Sequence, residues 1–451
     1  MTKPDTDRTG APDIAGGRLD AAAYERNFAD VHPPLAPAAA LVEANRCYFC
    51  YDAPCIEACP TEIDIPGFIR KIKTGNVAGA AKTILEQNIF GGACARVCPT
   101  EVLCEQACVR TTQENTPVTI GLLQRFATDH LMAKSAQPFE RAPATGKKVA
   151  IVGGGPAGLA CAHRLAVLGH DSVVFEARGK ATGLNEYGIA AYKVPDDFAQ
   201  AELEFIIGIG GIEIRCGQAL GRDVTLGELQ QDFDAVFLGL GQGGVRALGR
   251  AGDDLGGVHN AVDYIADLRQ ADDLATLPVG RRVVVIGGGN TAIDIAVQSK
   301  RLGAEDVTMV YRRGPEQMGA TPHEQAFAQT NGVKIKHWAQ PVRLEGADGH
   351  VATAVFEYTQ LDDGGKLVGT GELLEIPCDI VFKAIGQQFA PVRGEDALET
   401  AKGRIAVDAE MRTSLPNVWA GGDCVAGEDL TVQAVQDGKV AALSIDRYLR
   451  R

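Results

Sequence analysis

The chain has 451 residues, of which 45% are hydrophobic, and a formal net charge of −14 at pH 7. At about 150 residues per domain, this length predicts roughly three domains with sizeable cores. The negative charge and the lack of a basic stripe argue against nucleic-acid binding, because a phosphate backbone attracts clustered Lys and Arg. No apolar run approaches the ~20 residues of a membrane span, and the N-terminus has no apolar signal core, so a soluble cytoplasmic protein is expected.

The first third of the chain is predicted to be helical. Residues 1 to about 35, rich in Gly, Pro, Asp and Ala, are interpreted as a poorly ordered or surface-wrapped arm. Prolines at first turns and apolar residues three to four apart then predict helices over 38–45, 66–72, 78–87 and 120–132. Residues 135–146 are typical of a linker.

Eight of the twelve cysteines lie in this helical region, in the runs CYFCYDAPCIEACP and CARVCPTEVLCEQAC. Thiolates bind soft metals, and such spacings with a Pro after the last Cys of a run resemble ferredoxin iron–sulfur ligands. Two four-cysteine zinc sites would also use eight thiolates, and free or disulfide-bonded cysteines are a third interpretation. The nucleotide-binding loops that follow favour iron–sulfur clusters.

The first glycine-rich loop, GGGPAG at 153–158, lies between an apolar strand over 149–152 and a helix over 159–168. Its glycines permit a tight turn and let the backbone approach a pyrophosphate at the helix N-terminus. A second strand ends at Glu176, whose carboxylate can accept hydrogen bonds from ribose hydroxyls. A plain glycine-rich surface turn is the alternative.

The second loop, GGGNTA at 287–292, repeats this strand–loop–helix–strand order. The second strand of this repeat, over 307–313, ends in Arg312 and Arg313. In many NAD-binding folds an acidic residue at this position accepts hydrogen bonds from the ribose hydroxyls. Guanidinium groups there can bind a ribose 2′-phosphate, which favours NADP. Alternatively, the two arginines are solvated beside any adenosine.

The C-terminal region indicates which nucleotide occupies the first loop. An alternating segment over 351–358 predicts antiparallel strands, and Gly421, Gly422 and Asp423 end a later strand before a helix from about Thr431. A carboxylate near a ribityl chain and a positive helix end near a flavin pyrimidine ring would suit FAD. Taken alone, Asp423 is more typical of an ordinary turn or cap residue. Hydride transfer needs stacking geometry more than an acid or base, so no catalytic residue is predicted.

Across nearly the whole chain, these stretches resemble the small, PreT-type subunit of bacterial NAD-dependent dihydropyrimidine dehydrogenase. They also resemble the N-terminal half of the single-chain mammalian enzyme. The resemblance is carried by CYFCYDAPCIEACPTEIDIPGFI, GGACARVCPTEVLCEQAC, TIGLLQRF, GGGPAGLACAHRLAVLGH, TGLNEYGIAAYKVP, VVVIGGGNTAIDIA and VWAGGDCV. The broader group includes the glutamate synthase small subunit, which shares the double nucleotide-binding layout.

The predicted fold class is α+β and α/β: an α-helical iron–sulfur domain followed by two doubly wound Rossmann-like domains, one inserted in the other. The iron–sulfur domain is expected over 1–140. The FAD domain is expected over 141–245 and 387–451, because the GGD motif returns at the C-terminus, and the NAD(P) domain over 246–386.

The resemblance implies two interleaved [4Fe–4S] clusters. One would be held by Cys47, Cys50, Cys55 and Cys108, and the other by Cys59, Cys98, Cys104 and Gln124, which leaves Cys94 as a spare thiol. Implied FAD contacts are Gly153, Gly155, Pro156, Ala157, Gly158, Glu176, Leu184, Lys193, Gly422, Asp423 and Thr431. Implied nicotinamide nucleotide contacts are Gly288, Gly289, Asn290, Thr291, Arg312, Arg313, Ala384, Ile385 and Gly386.

Two positions depart from the family pattern. Thr182 stands where relatives often carry glycine, and Gly319 stands where the NADPH-using mammalian enzyme has a third arginine. The missing arginine and the nearest relatives favour NAD over NADP, although Arg312 and Arg313 alone would suit NADP.

The implied function is electron input. NADH would pass hydride to FAD, and electrons would leave singly through the clusters to a PreA-type subunit that carries FMN and iron–sulfur clusters. That partner would reduce uracil or thymine to the 5,6-dihydro product, in a heterotetramer. One alternative is a glutamate synthase-like reductase subunit that feeds another partner. A non-enzymatic, flavin-binding redox sensor is another.

Overall fold

The computed structural model describes residues 13–134, 137–390 and 398–451. The chain divides into two compact units. We call the first the inserted unit; it contains the described residues through Val31, Tyr187–Pro195 and Val245–Gln387. We call the second the main unit; it contains His32–Glu186, Asp196–Gly244 and the described residues from Gln388 to Arg451.

The helices and strands of both units are numbered here in chain order. The helices are α1 (Ala21–Asn27), α2 (Pro37–Ala44), α3 (Pro54–Glu57), α4 (Ile65–Lys73), α5 (Val77–Gln87), α6 (Gly91–Val97), α7 (Val109–Glu114), α8 (Ile120–Met132), α9 (Pro156–Val167), α10 (Leu184–Tyr187), α11 (Phe198–Ile207), α12 (Leu226–Asp232), α13 (Ala261–Gln270), α14 (Asn290–Arg301), α15 (Pro322–Thr330) and α16 (Thr431–Leu449). The strands are β1 (Ile14–Ala15), β2 (Lys148–Val152), β3 (Asp171–Glu176), β4 (Ile212–Cys216), β5 (Ala235–Leu238), β6 (Gly244–Val245), β7 (Val258–Asn260), β8 (Val279–Gly280), β9 (Arg282–Gly287), β10 (Asp306–Val310), β11 (Val333–Lys336), β12 (Ala339–Ala347), β13 (His350–Leu361), β14 (Leu367–Pro377), β15 (Ile380–Ala384), β16 (Gln387–Gln388), β17 (Thr400–Ala401), β18 (Arg404–Ile405) and β19 (Val418–Ala420).

The main unit is built on a parallel sheet with strand order β19-β5-β2-β3-β4. The central strands are continuous apolar runs because helices or loops cover both faces of a parallel sheet. Helix α9 follows β2, and the C-terminal helix α16 packs along α9. Gly438 makes this approach possible, since a Cβ there would lie 2.1 Å from the Ala157 carbonyl oxygen.

Helices α2 to α8 form the predicted helical region of the main unit. The bounds of α2, α4, α5 and α8 lie within two residues of the four predicted helices, whereas α3, α6 and α7 were not predicted individually. Their apolar core extends into the helices that flank the parallel sheet. The residues that those helices contribute are Leu159 and Ala160 from α9, Leu203 and Ile206 from α11, and Val432 and Val435 from α16. The cysteine-bearing helices therefore share a core with the first nucleotide-binding fold.

The inserted unit has its own parallel sheet, with strand order β11-β10-β9-β15-β7. An antiparallel sheet of β12, β13 and β14 follows, so the antiparallel excursion predicted around 351–358 is confirmed. Each parallel sheet carries one of the glycine-rich loops after its central strand. The predicted fold class is thus confirmed.

The N-terminal arm was predicted to be either poorly ordered or wrapped on the surface, and its described residues differ from the first of these two forms. Residues 1–12 lie outside the described part, but β1 pairs antiparallel with β8, and Ile14 and Tyr24 are buried in the core of the inserted unit. These two apolar anchors order residues 13–31. Residues 135 and 136 of the predicted linker also lie outside the described part.

The compact units do not follow the three predicted domain ranges everywhere. The inserted segment Val245–Gln387 is close to the predicted 246–386, but Tyr187–Pro195 joins the same unit. The three-domain division stays a prediction. Among the described residues, no helix combines the length and apolar character needed to cross a membrane.

Candidate cluster and nucleotide sites

Four cysteines line one pocket of the main unit: Cys47, Cys50, Cys55 and Cys108. Phe49, with a φ of 55°, bends the backbone between the first two, and its N–H lies 3.4 Å from the Cys47 sulfur. Burial and the neighbouring thiols raise the pKa of Cys55 to about 12. Metal binding must therefore displace protons here, as it does at other thiolate sites. The donor set fits one four-thiolate cluster.

A second group of thiols surrounds Cys98. A hydrogen bond with Cys94, burial, and the thiols of Cys104 and Cys59 all raise the pKa of Cys98. Three predicted ligands thus lie near one another, and the predicted spare thiol of Cys94 is buried within hydrogen-bonding reach of one of them. Among the described residues, no group of three His, Cys, Asp or Glu side chains is arranged to hold a single metal ion.

Gln124 lies on α8 with 7% of its surface exposed. Its Nε2 donates a 2.7 Å hydrogen bond to the carbonyl oxygen of Gly91, the first residue of α6. A carbonyl oxygen can only accept, so the amide must turn its nitrogen to Gly91 and leave Oε1 for another partner. Helix α6 also carries Cys94 and ends next to Cys98. The structure therefore brings the predicted amide ligand to the helix of the second thiol group.

The first glycine-rich loop makes a turn that side chains would block. Gly153 has a φ of 99°, and a Cβ there would lie 2.2 Å from the Gly239 carbonyl oxygen. A Cβ on Gly158 would lie 2.0 Å from the Gly153 carbonyl oxygen. Gly155 caps α9 without a side-chain bond, and Pro156 occupies its first turn. The free backbone N–H groups that follow fit an anionic pyrophosphate.

Glu176 ends β3 beside this loop and is buried. Its Oε2 accepts a 2.9 Å hydrogen bond from the Gly154 N–H, and its Oε1 accepts a 2.8 Å bond from the Arg178 N–H. The carboxylate is therefore fixed against the loop, where its remaining lone pairs fit ribose hydroxyls.

Thr182, the first departure from the family pattern, packs on the same loop. Its N–H donates a 2.7 Å hydrogen bond to the Gly154 carbonyl oxygen, and its φ is 84°. The side chain is fully buried, and its hydroxyl has no hydrogen-bond partner in the described part of the chain. A β-branched residue in this left-handed conformation is strained, which explains why glycine suits the position.

The C-terminal GGD motif reaches the first loop. A Cβ on Gly422 would lie 3.0 Å from the Ala157 Cβ, so predicted FAD contacts from distant parts of the sequence adjoin. The Gly422 N–H donates a 2.9 Å bond to Asp437. Burial, together with the Asp429 carboxylate, raises the pKa of Asp423 to about 6. No side chain in the described ranges caps the start of helix α16 at Thr431, so its first N–H groups are available to a ligand.

The two remaining predicted FAD contacts have different surroundings. Leu184 is exposed at the start of α10, next to Gly183, on which a built Cβ would lie 3.0 Å from the Gly155 Cα of the first loop. Lys193 belongs to the inserted unit, where its ammonium pairs with Asp294 at 2.8 Å and Glu324 at 2.7 Å. Burial lowers the pKa of Lys193, but the two carboxylates outweigh this effect and raise it. Both FAD assignments stay predictions.

Two neighbouring segments pack closely against the second glycine-rich loop. A Cβ on Gly287 would lie 2.2 Å from the Ala384 carbonyl oxygen, which places one predicted nucleotide contact against the loop. A Cβ on Gly288 would lie 2.4 Å from the Tyr311 ring. Gly289 caps α14 without a side-chain bond, so the N–H groups from Asn290 onward fit a pyrophosphate.

Arg312 and Arg313 follow β10 beside this loop. Arg312 is exposed and Arg313 is partly buried, and neither forms an ion pair within the ranges that the structure describes. Gly319 lies near the same loop: the nearest atom to a Cβ built there is the Gly289 Cα, at 3.7 Å. Space for a longer side chain thus exists where the third arginine is missing.

Comparison with known proteins identifies the family. The family described as pyridine nucleotide-disulphide oxidoreductase matches residues 147–438. The chain belongs to this family. The oxidoreductase also matches, over residues 24–136, the family described as dihydropyrimidine dehydrogenase domain II, 4Fe-4S cluster. A 4Fe-4S domain therefore precedes the nucleotide-binding folds, as the cysteine runs predicted.

Two relatives span nearly the whole oxidoreductase. The PreT subunit of NAD-dependent dihydropyrimidine dehydrogenase from Escherichia coli O157:H7 is 35% identical over 94% of this chain and 98% of its own length. The small chain of glutamate synthase [NADPH] from Escherichia coli K12 is 34% identical, with 94% of both chains covered. The predicted resemblance is confirmed at this level.

A solved structure shares the fold. The FprA protein of Mycobacterium tuberculosis, solved in complex with NADPH, superposes with a TM-score of 0.57 and 20% identity. The match covers 68% of this chain and 85% of that one. At this identity, the likeness concerns the fold alone.

Sequence reasoning missed two buried carboxylates near these sites. Glu202 on α11 accepts two backbone hydrogen bonds from α6, and Asp437 on α16 accepts one from Gly422. Each lies among apolar residues of its own helix. An acidic residue on the apolar face of a helix was the signal that could have revealed both carboxylates. The sequence does not show, however, which backbone group such a carboxylate contacts.

Proposed function

We propose that this oxidoreductase is the electron-input subunit of a dihydropyrimidine dehydrogenase. In the proposed reaction NADH is oxidised, and the electrons reach a partner that reduces uracil or thymine to the 5,6-dihydropyrimidine. The observation that carries the proposal is the grouping of Cys47, Cys50, Cys55 and Cys108 around one pocket, in a unit whose core also supports the first nucleotide loop.

The residues that would hold the cofactors are those of the sites described above. The first loop, Glu176 and the GGD motif would hold FAD, and the second loop with Arg312 and Arg313 would hold the nicotinamide nucleotide. The two cysteine groups, the second completed by Gln124, would hold two [4Fe–4S] clusters. When bound, FAD supplies hydride acceptance and the clusters supply one-electron transfer.

The chain's own residues would bind and orient the two nucleotides. Backbone N–H groups at the starts of α9 and α14 would bind the two pyrophosphates. Glu176, fixed by the N–H groups of Gly154 and Arg178, would orient the FAD ribose. The free start of α16 would place a partial positive charge beside the flavin pyrimidine ring, which favours its reduced, anionic form.

We propose NAD as the preferred nucleotide. Arg312 and Arg313 lack a carboxylate partner in the described part and could pair with a 2′-phosphate, but Gly319 offers no third guanidinium. Two arginines can also stack on adenine without contacting a phosphate. The PreT relatives, whose names state NAD dependence, support the same choice.

The partner would be a PreA-type subunit with FMN and iron–sulfur clusters, in a heterotetramer in the cytoplasm. To test this, the chain is purified with such a subunit and, separately, with a glutamate synthase large subunit. NADH oxidation is then measured with uracil for the first complex and with 2-oxoglutarate plus glutamine for the second. Uracil-dependent turnover is expected, and none from the chain alone. Turnover only with 2-oxoglutarate and glutamine would refute the proposal.

That second result would support a glutamate synthase-like reductase, which the 34% identity to a glutamate synthase small chain keeps as the second candidate. A flavin-binding sensor without enzymatic function is distinguished by the flavin spectrum. Under anaerobic conditions NADH should bleach the bound flavin within one turnover, whereas a sensor of this kind would keep its oxidised spectrum.

A further inference from the structure

A buried carboxylate links the nucleotide-binding fold to the second thiol group. Glu202 on α11 is 1% exposed. Its Oε1 accepts hydrogen bonds of 3.0 Å from the Gly92 N–H and 2.9 Å from the Ala93 N–H. These N–H groups belong to the first turn of α6, whose own cap residue, Phe90, makes no side-chain bond. Glu202 thus caps a helix about 110 residues away in the sequence.

The same turn of α6 is held at further points. Arg96 donates a 3.0 Å bond to the Gly92 carbonyl oxygen and pairs with Asp129 at 2.9 Å. Its guanidinium lies 3.5 Å from the centre of the Phe198 ring, one turn before Glu202 on α11. A Cβ on Gly92 would come within 2.6 Å of that ring. Helix α11 therefore fixes the start of α6 through both a carboxylate and an aromatic ring.

Burying this carboxylate is costly. Burial raises the pKa of Glu202 to about 8, even though the two backbone bonds and Arg96 oppose the shift. Its second oxygen has no hydrogen-bond partner in the described part of the chain. An apolar residue at this position would avoid the cost, so the carboxylate needs a reason beyond stability.

The first turn of α6 provides that reason. Its Gly91 carbonyl oxygen accepts the bond from Gln124 Nε2, which sets the direction of Gln124 Oε1. The last turn of α6 leads directly into Cys98. A displacement of α6 along its axis would therefore move both a predicted amide ligand and a predicted thiolate ligand.

We propose that Glu202 is a positioning residue for the second cluster, which holds Gln124 and Cys98 in ligating geometry by anchoring α6 to the nucleotide-binding fold. This rests on the proposed function, in particular on Gln124 as a ligand. Glu202 touches the helix start and acts on the ligands through it.

The test uses the full chain with its cofactors and records electron paramagnetic resonance during a redox titration. Glu202→Gln keeps the shape and an acceptor oxygen, whereas Glu202→Leu and Glu202→Ala remove the acceptor. The Leu and Ala variants should change the line shape and midpoint potential of one cluster signal. The Gln variant should stay close to the parent, and the other cluster and the flavin spectrum should be unchanged in all three variants. For Glu202→Ala we expect iron content to fall by up to half. Glu204→Gln, an exposed acid two positions away on the same helix, is the matched control.

Gln124→Leu is measured in parallel and should change the same signal. If Gln124→Leu changes one signal and both Glu202→Leu and Glu202→Ala leave it unchanged, the inference is overturned and the ligand assignment stands. If Gln124→Leu leaves both signals unchanged, the ligand assignment fails and the inference fails with it. If Glu202→Ala does not fold, Glu202→Leu decides: an unchanged signal overturns the inference, and a shift in one signal supports it.

Discussion

Gly319 lies beside the second nucleotide loop, so that a Cβ built on it would be 3.7 Å from the Gly289 Cα, with no closer atom. The position therefore faces a loop that fits a pyrophosphate and has room for a longer side chain. One positive charge added at Gly319 is therefore expected to change the preference between NADH and NADPH.

Gly319→Arg should shift the preference toward NADPH. A third guanidinium beside Arg312 and Arg313 could bind a ribose 2′-phosphate, and one charge-assisted hydrogen bond of about 1.5–3 kcal/mol corresponds to roughly a 10- to 100-fold gain. The measurement is the ratio of kcat/KM for NADPH to that for NADH. Gly364→Arg, in the exposed turn between β13 and β14, is the control and should leave the ratio unchanged. A higher preference for NADH in Gly319→Arg would contradict the placement of the adenosine ribose.

Thr182→Gly should stabilise the FAD-bound chain. Glycine adopts the observed φ of 84° without strain, whereas alanine does not, although both remove the buried hydroxyl that lacks a described partner. We expect the glycine variant to exceed the alanine variant by about 1 kcal/mol, which a thermal or urea denaturation of the two proteins measures. Equal midpoints would show that the left-handed backbone at this position costs nothing.

The stability of the chain should depend on the protonation of Asp423. Burial and Asp429 raise its pKa from 3.8 to about 6, so the folded chain favours the neutral carboxyl. The preference for the neutral carboxyl stabilises the folded chain fully below pH 3.8. This stabilisation is lost as the pH rises to about 6, and the free energy of unfolding then falls by at most about 3 kcal/mol. Asp423→Asn should remove this loss and flatten the stability profile over that range. Asp363→Asn, in an exposed turn, makes the same charge change and should keep the slope of the parent.

Lys439 on α16 should raise the potential of the cluster that Cys59 would bind. Its ammonium donates hydrogen bonds to the Thr61 carbonyl oxygen at 3.2 Å and to Gln87 Oε1 at 3.0 Å. Burial, with Arg164, lowers the pKa of Lys439 to about 8, while Glu62 and then a thiolate at Cys59 oppose the shift, so the ammonium is close enough to the Cys59 sulfur to interact with it electrostatically. A nearby cation favours the reduced, more negative cluster.

Lys439→Met is therefore expected to lower one midpoint potential by roughly 50 mV, equivalent to about 1 kcal/mol for one electron. The redox titration that follows the two cluster signals measures it. Arg447→Met serves as the control, because this exposed cation on the same helix pairs with Glu410 instead. An unchanged or higher potential in Lys439→Met would rule out this electrostatic role.

Features coded within short stretches of sequence could be predicted. The strands at Val149 and Val283, their glycine loops and the helix over 120–132 follow from local periodicity and from glycines that only a tight turn requires. The resemblance supplied the division of the cysteines, because spacing alone does not pair Cys108 with the first run.

Long-range polar pairs could not be predicted. Glu202 and its partners at Gly92 and Ala93 are about 110 positions apart, and no periodic pattern links them. Lys193 is similar: the resemblance makes it an FAD contact within the stretch TGLNEYGIAAYKVP, but its ammonium pairs with carboxylates of the inserted unit, including Asp294 about 100 positions later. Such pairs depend on how helices pack, which local propensity does not determine.

The apolar core that α16 shares with the cysteine-bearing helices also bears on biosynthesis. Val432 and Val435 follow the two cysteine runs by some 320–390 positions, yet they pack in the same apolar core. That core is therefore incomplete until α16 has been translated. During synthesis the cysteine region is expected to stay open to iron and sulfide until α16 packs against it.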